Sequence, residues 1–178
     1  MIVFDLDGTL LDTRQTIITA YGLAGVTVSD DILERAATGW LENQVGAATA
    51  ETILAKKNEE YLRMLRTEYR PMLPPMQTAI QLHQAGYGVG IMTGAPTGSL
   101  AMFQLQCREQ CRIWPFDAAI EATATPEKME RLPQLDDHGV YIDDQDRLIN
   151  MPDGWHFIHY IGQPPGTLYK EIVTCGCA

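Results

Sequence analysis

The chain is expected to fold as an α/β protein, a doubly wound parallel sheet carrying a small inserted helical unit. Three observations predict this. Short apolar runs recur along the 178 residues, and several stop abruptly at an acid or at Thr-Gly. Helical patterns separate those runs, and strands alternating with helices build parallel sheets covered on both faces. One long stretch, residues 13–72, carries only helical signals and interrupts the alternation. The sheet unit is therefore expected from residues 1–12 and 73–178, with 13–72 as the insertion.

Ile2-Val3-Phe4 reads as a buried strand ending in Asp5 and Asp7. Alternation along an extended chain sends both acids to the same side, close enough to repel, and Gly8 then lets the backbone turn sharply. Two carboxylates at the end of a buried strand need a cation or a proton. Arg14 to Leu23 places Ile17, Ile18 and Tyr21 at helical spacing, closed by Gly22 and Gly25. Ser29 or Asp30 caps a second helix expected to run through Ala37 and end near Gly39. The longest helix is expected from Thr49 to Tyr69, with Pro71, Pro74 and Pro75 stopping it.

After the prolines, Met76 to Ala85 reads as a helix and Val89 to Met92 as a strand that ends at Thr93-Gly94. Leu100, Phe103 and Cys107 mark the next helix. Phe116 to Ile120 is a third strand, followed by a short helix from about Pro126. Val140-Tyr141-Ile142 is a fourth strand ending in Asp143-Asp144, and His156 to Ile161 a fifth. Parallel sheets bind ligands at the carboxyl ends of their strands. Asp5, Asp7, Thr93, Asp143 and Asp144 are all expected at that one edge.

Composition narrows the partners. The formal net charge is −10 and no basic stripe runs through the sequence, which excludes the electrostatic footprint of a duplex nucleic-acid binder. No apolar stretch approaches the length needed to cross a bilayer. The sequence opens directly on a strand with no signal-peptide pattern, so a cytoplasmic location is expected. Cys107, Cys111, Cys175 and Cys177 lack the two-residue spacing of zinc knuckles and read as ordinary reduced thiols. His83, His138, His156 and His159 share no metal spacing and read as structural or solvated. Oligomeric state is not encoded in any of these patterns.

Asp5-Leu6-Asp7-Gly8-Thr9 resembles the first motif of the haloacid dehalogenase (HAD) superfamily of phosphohydrolases, and Val140-Tyr141-Ile142-Asp143-Asp144 resembles its acidic fourth motif. Thr93, in Gly90-Ile91-Met92-Thr93-Gly94, looks like the Thr of the second. The third motif departs: Thr125 occupies the position before Pro126 where compact members carry Lys, and Lys128 follows three residues after Thr125. The resemblance implies a Rossmann-like core with a C1-type helical cap, as in the phosphoglycolate phosphatase and β-phosphoglucomutase-like group. It implies Asp5 as nucleophile and Asp7 as general acid and then base. Thr93, Gly94 and Lys128 would bind the substrate phosphate. Mg²⁺ would be held by Asp5, the Asp7 carbonyl, Asp143 and Asp144, with Asp144 the direct ligand of the last pair or the assignment reversed. Asp146 is a further acid beside them.

The implied activity is Mg²⁺-dependent hydrolysis of a small phosphorylated metabolite through an aspartyl phosphate. Asp7 argues against dehalogenation, whose enzymes lack the second acid, and Thr9 favours hydrolysis over phosphomutation. A phosphomutase using the same aspartates, and a non-catalytic phosphate- or metal-binding module, are the alternatives. Arg14, Lys56, Lys57, Arg63, Arg66 and Arg70 supply the cations of the insertion that a substrate could meet.

Overall fold

A computed structural model describes residues 1–34, 37–68, 70–122, 125–145 and 150–175. The chain divides into two compact units, Met1–Asp12 with Arg70–Ala178, and Thr13–Tyr69. Pro71 and Met72, read from the sequence as part of the insertion, belong to the first unit. Asp12 N donates to Pro71 O at 2.9 Å, and Leu11 and Met72 form an antiparallel bridge.

The first unit is a five-stranded, all-parallel sheet with helices around it, a Rossmann-like α/β fold. Its strands are β1 (Ile2–Phe4), β2 (Val89–Thr93), β3 (Ala118–Glu121), β4 (Gly139–Asp143) and β5 (Trp155–His159), in the order β3-β2-β1-β4-β5. The chain leaves β1 toward β2 and β3 on one side, then returns to lay β4 and β5 on the other. That reversal beside β1 is where doubly wound sheets open a crevice for ligands. Ile2 lies opposite both Val89 and Val140, so the first strand is also the central one. Such a strand is buried on both faces, and β1, β2 and β4 are buried along their whole length.

Alternation divides those side chains between two faces. Val3, Met92 and Tyr141 face one core with Leu132 and Trp155. Ile2, Phe4, Ile91, Val140 and Ile142 are buried by the opposite alternation. Gly139 is required at the start of β4 because a Cβ there would lie 2.6 Å from the Trp155 ring.

Of the four helices described in the sheet unit, the sequence predicts three. Pro74 and Pro75 open the helix Pro74–Gln84 rather than merely ending the one before it, since the first helical turn needs no proline N–H. Ser99–Gln110 and Thr125–Leu135 follow their strands as expected. Pro165–Thr174 packs on Pro74–Gln84 and carried no sequence expectation. The fifth strand begins one residue earlier than expected and ends before Ile161, which is 73% exposed.

The second unit is helical: Arg14–Leu23, Asp30–Glu34, Ala37–Val45 and Ala47–Thr67. The sequence suggested one helix ending near Gly39, but Gly39 lies inside Ala37–Val45. An interior glycine costs only about 1 kcal/mol relative to alanine and does not by itself stop a helix. The boundary falls at Gly46, whose φ of 79° suits glycine and separates the last two helices. Tyr21, Val28, Leu41 and Ala50 form this unit's buried cluster, with Ile17, Trp40, Ile53 and Leu54 against it. Among the described residues no helix is long and apolar enough to cross a membrane.

In chain order the helices are α1 (Arg14–Leu23), α2 (Asp30–Glu34), α3 (Ala37–Val45), α4 (Ala47–Thr67), α5 (Pro74–Gln84), α6 (Ser99–Gln110), α7 (Thr125–Leu135) and α8 (Pro165–Thr174).

Candidate active site

The end of β1 is tied to β4 by the bond from Asp5 N to Ile142 O at 2.8 Å. Asp5 is thereby carried past the strand end while staying 5% exposed. The next residues turn tightly: Leu10 N and Leu11 N both donate to Leu6 O, and Gly8 N donates to Leu11 O. Gly8 has φ of 80°, and a Cβ on it would come within 2.6 Å of Asp144 Cγ. Glycine is needed here for conformation and for closeness alike. Thr9, fully buried, accepts from Asp144 N at 3.0 Å and lies 3.4 Å from Asp144 Oδ1. The turn after β1 therefore holds the acid after β4.

Lys128 stands in the first turn of α7, and its stem runs inward until the side chain is 9% exposed. Its ammonium ion-pairs with Asp5, stands 3.6 Å from Asp143 Oδ2 and donates to the Tyr141 hydroxyl at 3.0 Å. The Tyr141 hydroxyl donates in turn to Asp143 Oδ2 at 2.7 Å, and Asp143 Oδ1 accepts from Gln145 N at 2.9 Å. Thr93, buried at the end of β2, accepts at Oγ1 from Ala95 N at 3.0 Å. Gly94 lies beside the lysine, since a Cβ on it would be 3.7 Å from Lys128 Cε. Asp7 is half-buried two residues after Asp5.

The structure thus brings Asp5, Lys128, Asp143 and Asp144 together, with Gly94 alongside. Asp5, Asp143 and Asp144 each offer a carboxylate oxygen within 4.8 Å of the others, a set that does not include the Asp7 carboxylate. Asp146 lies outside the described residues, as does Cys177. Cys107, Cys111 and Cys175 are free, and among the described residues no cysteine or histidine joins a metal-type cluster. The buried Cys107 thiol is pushed up to about 12 and directed at Ile113 O. His159 is half-buried; its Nε2 lies 3.1 Å from Asp144 O, and its ring stacks on Phe157.

Charge balance explains what this cluster needs. Burial raises the Asp5 carboxyl well above the usual carboxylate range; Lys128 opposes that rise, while Asp143 and Asp7 add to it. Asp144 is pushed up to about 6, first by burial and then by Asp143. Burial would depress the Lys128 ammonium, but Asp5 and Asp143 outweigh it and raise the value. The lysine is therefore held charged, and one ammonium faces three crowded acids. The excess negative charge asks for a proton or a cation. Three carboxylates converging with no sulfur or imidazole are the donor set of a hard divalent ion such as Mg²⁺. The residues fit that group.

Tyr141 and the Thr9–Asp144 contact were not singled out as site features by the sequence reading. Tyr141 left one signal, a hydroxyl in a strand whose neighbours Val140 and Ile142 are aliphatic. A buried tyrosine needs a partner for its O–H, and here both partners belong to the acidic cluster.

Compared by sequence, the chain matches no family model and no curated protein. Compared by structure, it is similar to a predicted phosphatase from Clostridium acetobutylicum, with a TM-score of 0.66 and 14% identity over 97% of each chain. It is similar also to CbbY from Rhodobacter sphaeroides in complex with phosphate: TM-score 0.56, 17% identity, 79% of this chain and 76% of that one. A HAD-superfamily hydrolase of subfamily IA from Geobacter sulfurreducens PCA gives a TM-score of 0.51 at 15% identity, covering 89% and 85%. At such identities the likeness is one of fold, and that fold is the one found in HAD-superfamily hydrolases.

Proposed function

We propose that the protein is a HAD-type phosphatase that hydrolyses a small phosphomonoester through an aspartyl phosphate at Asp5, with Mg²⁺ as its metal. The observation that carries this reading is the buried Asp5 paired with Lys128 and facing Asp143 and Asp144. That arrangement sets an ammonium against a poorly solvated carboxylate and so opposes the burial that favours its protonated form, which suits a nucleophile. The fold shared with phosphatases supports the same reading.

Asp5 Oδ attacks phosphorus and the bond to the leaving alkoxide breaks. Asp7 gives its proton to that oxygen, releasing the alcohol. Asp7, now a carboxylate, takes a proton from water as the water attacks the aspartyl phosphate, freeing inorganic phosphate and restoring Asp5. Thr93, Gly94 and Lys128 hold the equatorial phosphoryl oxygens, where charge concentrates. Asp5, the Asp7 carbonyl and Asp144 would hold the metal. Asp143 supports them, because both its oxygens already bond Tyr141 and Gln145. When bound, Mg²⁺ screens the repulsion between the attacking carboxylate and the phosphate dianion. Residues 13–69 would serve as the cap that sheds water and selects substrate.

The test is phosphate release from a panel of phosphorylated metabolites, with and without Mg²⁺, for wild type and Asp5→Asn. Release that requires both Mg²⁺ and Asp5 supports the proposal. Release undiminished in Asp5→Asn refutes the covalent mechanism, and an isomeric phosphate product instead of free phosphate identifies a mutase.

A further inference from the structure

The fourth strand places a phenol where an aliphatic side chain would suffice for packing. Tyr141 is fully buried, and its ring lies in the core with Val3, Met92 and Trp155. A phenylalanine would satisfy that core equally well. The hydroxyl has other work: it accepts from Lys128 Nζ at 3.0 Å and donates to Asp143 Oδ2 at 2.7 Å. The ammonium also lies 5.7 Å from the Tyr141 ring centroid, so the same side chain meets it with oxygen and with the ring. Lysine ends in a flexible stem with three rotatable N–H donors, and nothing in the stem itself aims it. Of those donors, one contact goes to Asp5 and one to Tyr141.

Resting on the phosphatase reading, we propose that Tyr141 is a positioning residue: its hydroxyl bridges Lys128 to Asp143 and thereby holds the ammonium against Asp5. The bridge has a direction. The N–H of Lys128 donates to the phenol oxygen, which frees the phenol proton for Asp143 and keeps that carboxylate turned toward the lysine. Asp143 is fixed from its other side by Gln145 N. Tyr141 and Asp143 stand two residues apart on β4 and so share a face, and Asp5 N is bonded to Ile142 O between them. The geometry of nucleophile, cation and supporting acid is thus set from one strand. Side chains that orient groups touching the reacting atoms act at one remove, through alignment, and their loss typically costs about 10–100-fold in activity.

The test compares wild type with Tyr141→Phe, which keeps the ring. Two quantities are read: kcat and KM for the best phosphomonoester with Mg²⁺, and hydrogen exchange of the Lys128 ammonium by ¹⁵N NMR in metal-free protein. Lys56, Lys57 and Lys170 are exposed or half-exposed, so the slowly exchanging ammonium is that of Lys128. The expected result is kcat lowered about tenfold or more with KM within about twofold, and ammonium exchange faster by about tenfold. Unchanged exchange overturns the proposal, because no clamp then exists. Faster exchange with undiminished kcat also overturns it, because the clamp then serves folding alone. If wild type releases no phosphate from any substrate, the phosphatase reading fails, while the exchange ratio still decides whether Tyr141 holds the lysine.

Discussion

Gly8 carries two constraints at a single atom position. Its φ of 80° disfavours any side chain, and the space a Cβ would take belongs to the Asp144 carboxylate. Gly8→Ala is therefore expected to displace Asp144 and weaken Mg²⁺ affinity by at least about tenfold, measured by calorimetric titration, with a stability loss of about 1–3 kcal/mol. Lys128 is the counterpart on the charge side. Lys128→Met leaves Asp5 and Asp143 buried with no cation, and should lower metal-free stability by about 3–5 kcal/mol in urea unfolding. Asp144 gives the pH dependence. Its folded value of about 6 lies above its ordinary 3.8, so its contribution to stability is complete below the lower value and lost as pH rises through the higher one. The shift corresponds to about 3 kcal/mol. A bound cation offsets that loss. Saturating Mg²⁺ should raise Tm by several degrees at about pH 7.5 and by little at about pH 4.5, as differential scanning calorimetry would record.

At the scale of elements, the strands were legible because burial on both faces leaves unbroken apolar runs, and Ile2-Val3-Phe4 and Val140-Tyr141-Ile142 are such runs. Their termini were legible because an acid after an apolar run has few explanations. Thr93 could be placed at a strand end, but its bond to Ala95 N depends on a local turn that residue types do not specify. Lys128 was harder still. Its long side chain runs inward from the first turn of α7 to Asp5, which is a matter of helix placement and not of spacing. The helix α8 carried no expectation, although Pro164 and Pro165 stand at its start, where proline suits a first helical turn. The helix α3 was missed because Gly39 was read as a stop, whereas the positive φ that ends a helix here belongs to Gly46. Packing between elements offers its own test. Trp155 opens β5, is 5% exposed and fills the space that Gly139 leaves open. Trp155→Ala should cost about 3–5 kcal/mol by chemical denaturation, with the transition remaining cooperative.

For the whole molecule, the division into two units is a covalent interruption of one sheet protein by a helical one. Asp12 and Pro71 are joined by a hydrogen bond, so the two chain crossings lie side by side where the interruption begins and ends. Replacing residues 13–69 with a short Gly-Ser linker should leave the sheet unit folded, with near-native circular dichroism for its share of the chain. Under the phosphatase reading, the shortened protein should keep Asp5-dependent phosphate release from a small reporter ester while losing discrimination among larger substrates. Loss of cooperative unfolding in that variant would show that the sheet unit cannot stand without the insertion.

The central place of β1 has a consequence for the order in which the chain can fold. Ile2 pairs with Val89 on one side and Val140 on the other, so β1 has neither of its sheet neighbours until much of the chain after it has been made. Each pairing closes a long loop, and the entropy of closure must be met before any ladder bond forms. The hydrogen bond from Asp12 N to Pro71 O, once formed, shortens the effective loop that separates β1 from β2. Emerging from the ribosome, the apolar segment Ile2-Val3-Phe4 waits unpaired, and it is there that the nascent chain is most open to capture by chaperones or by strands of its own kind.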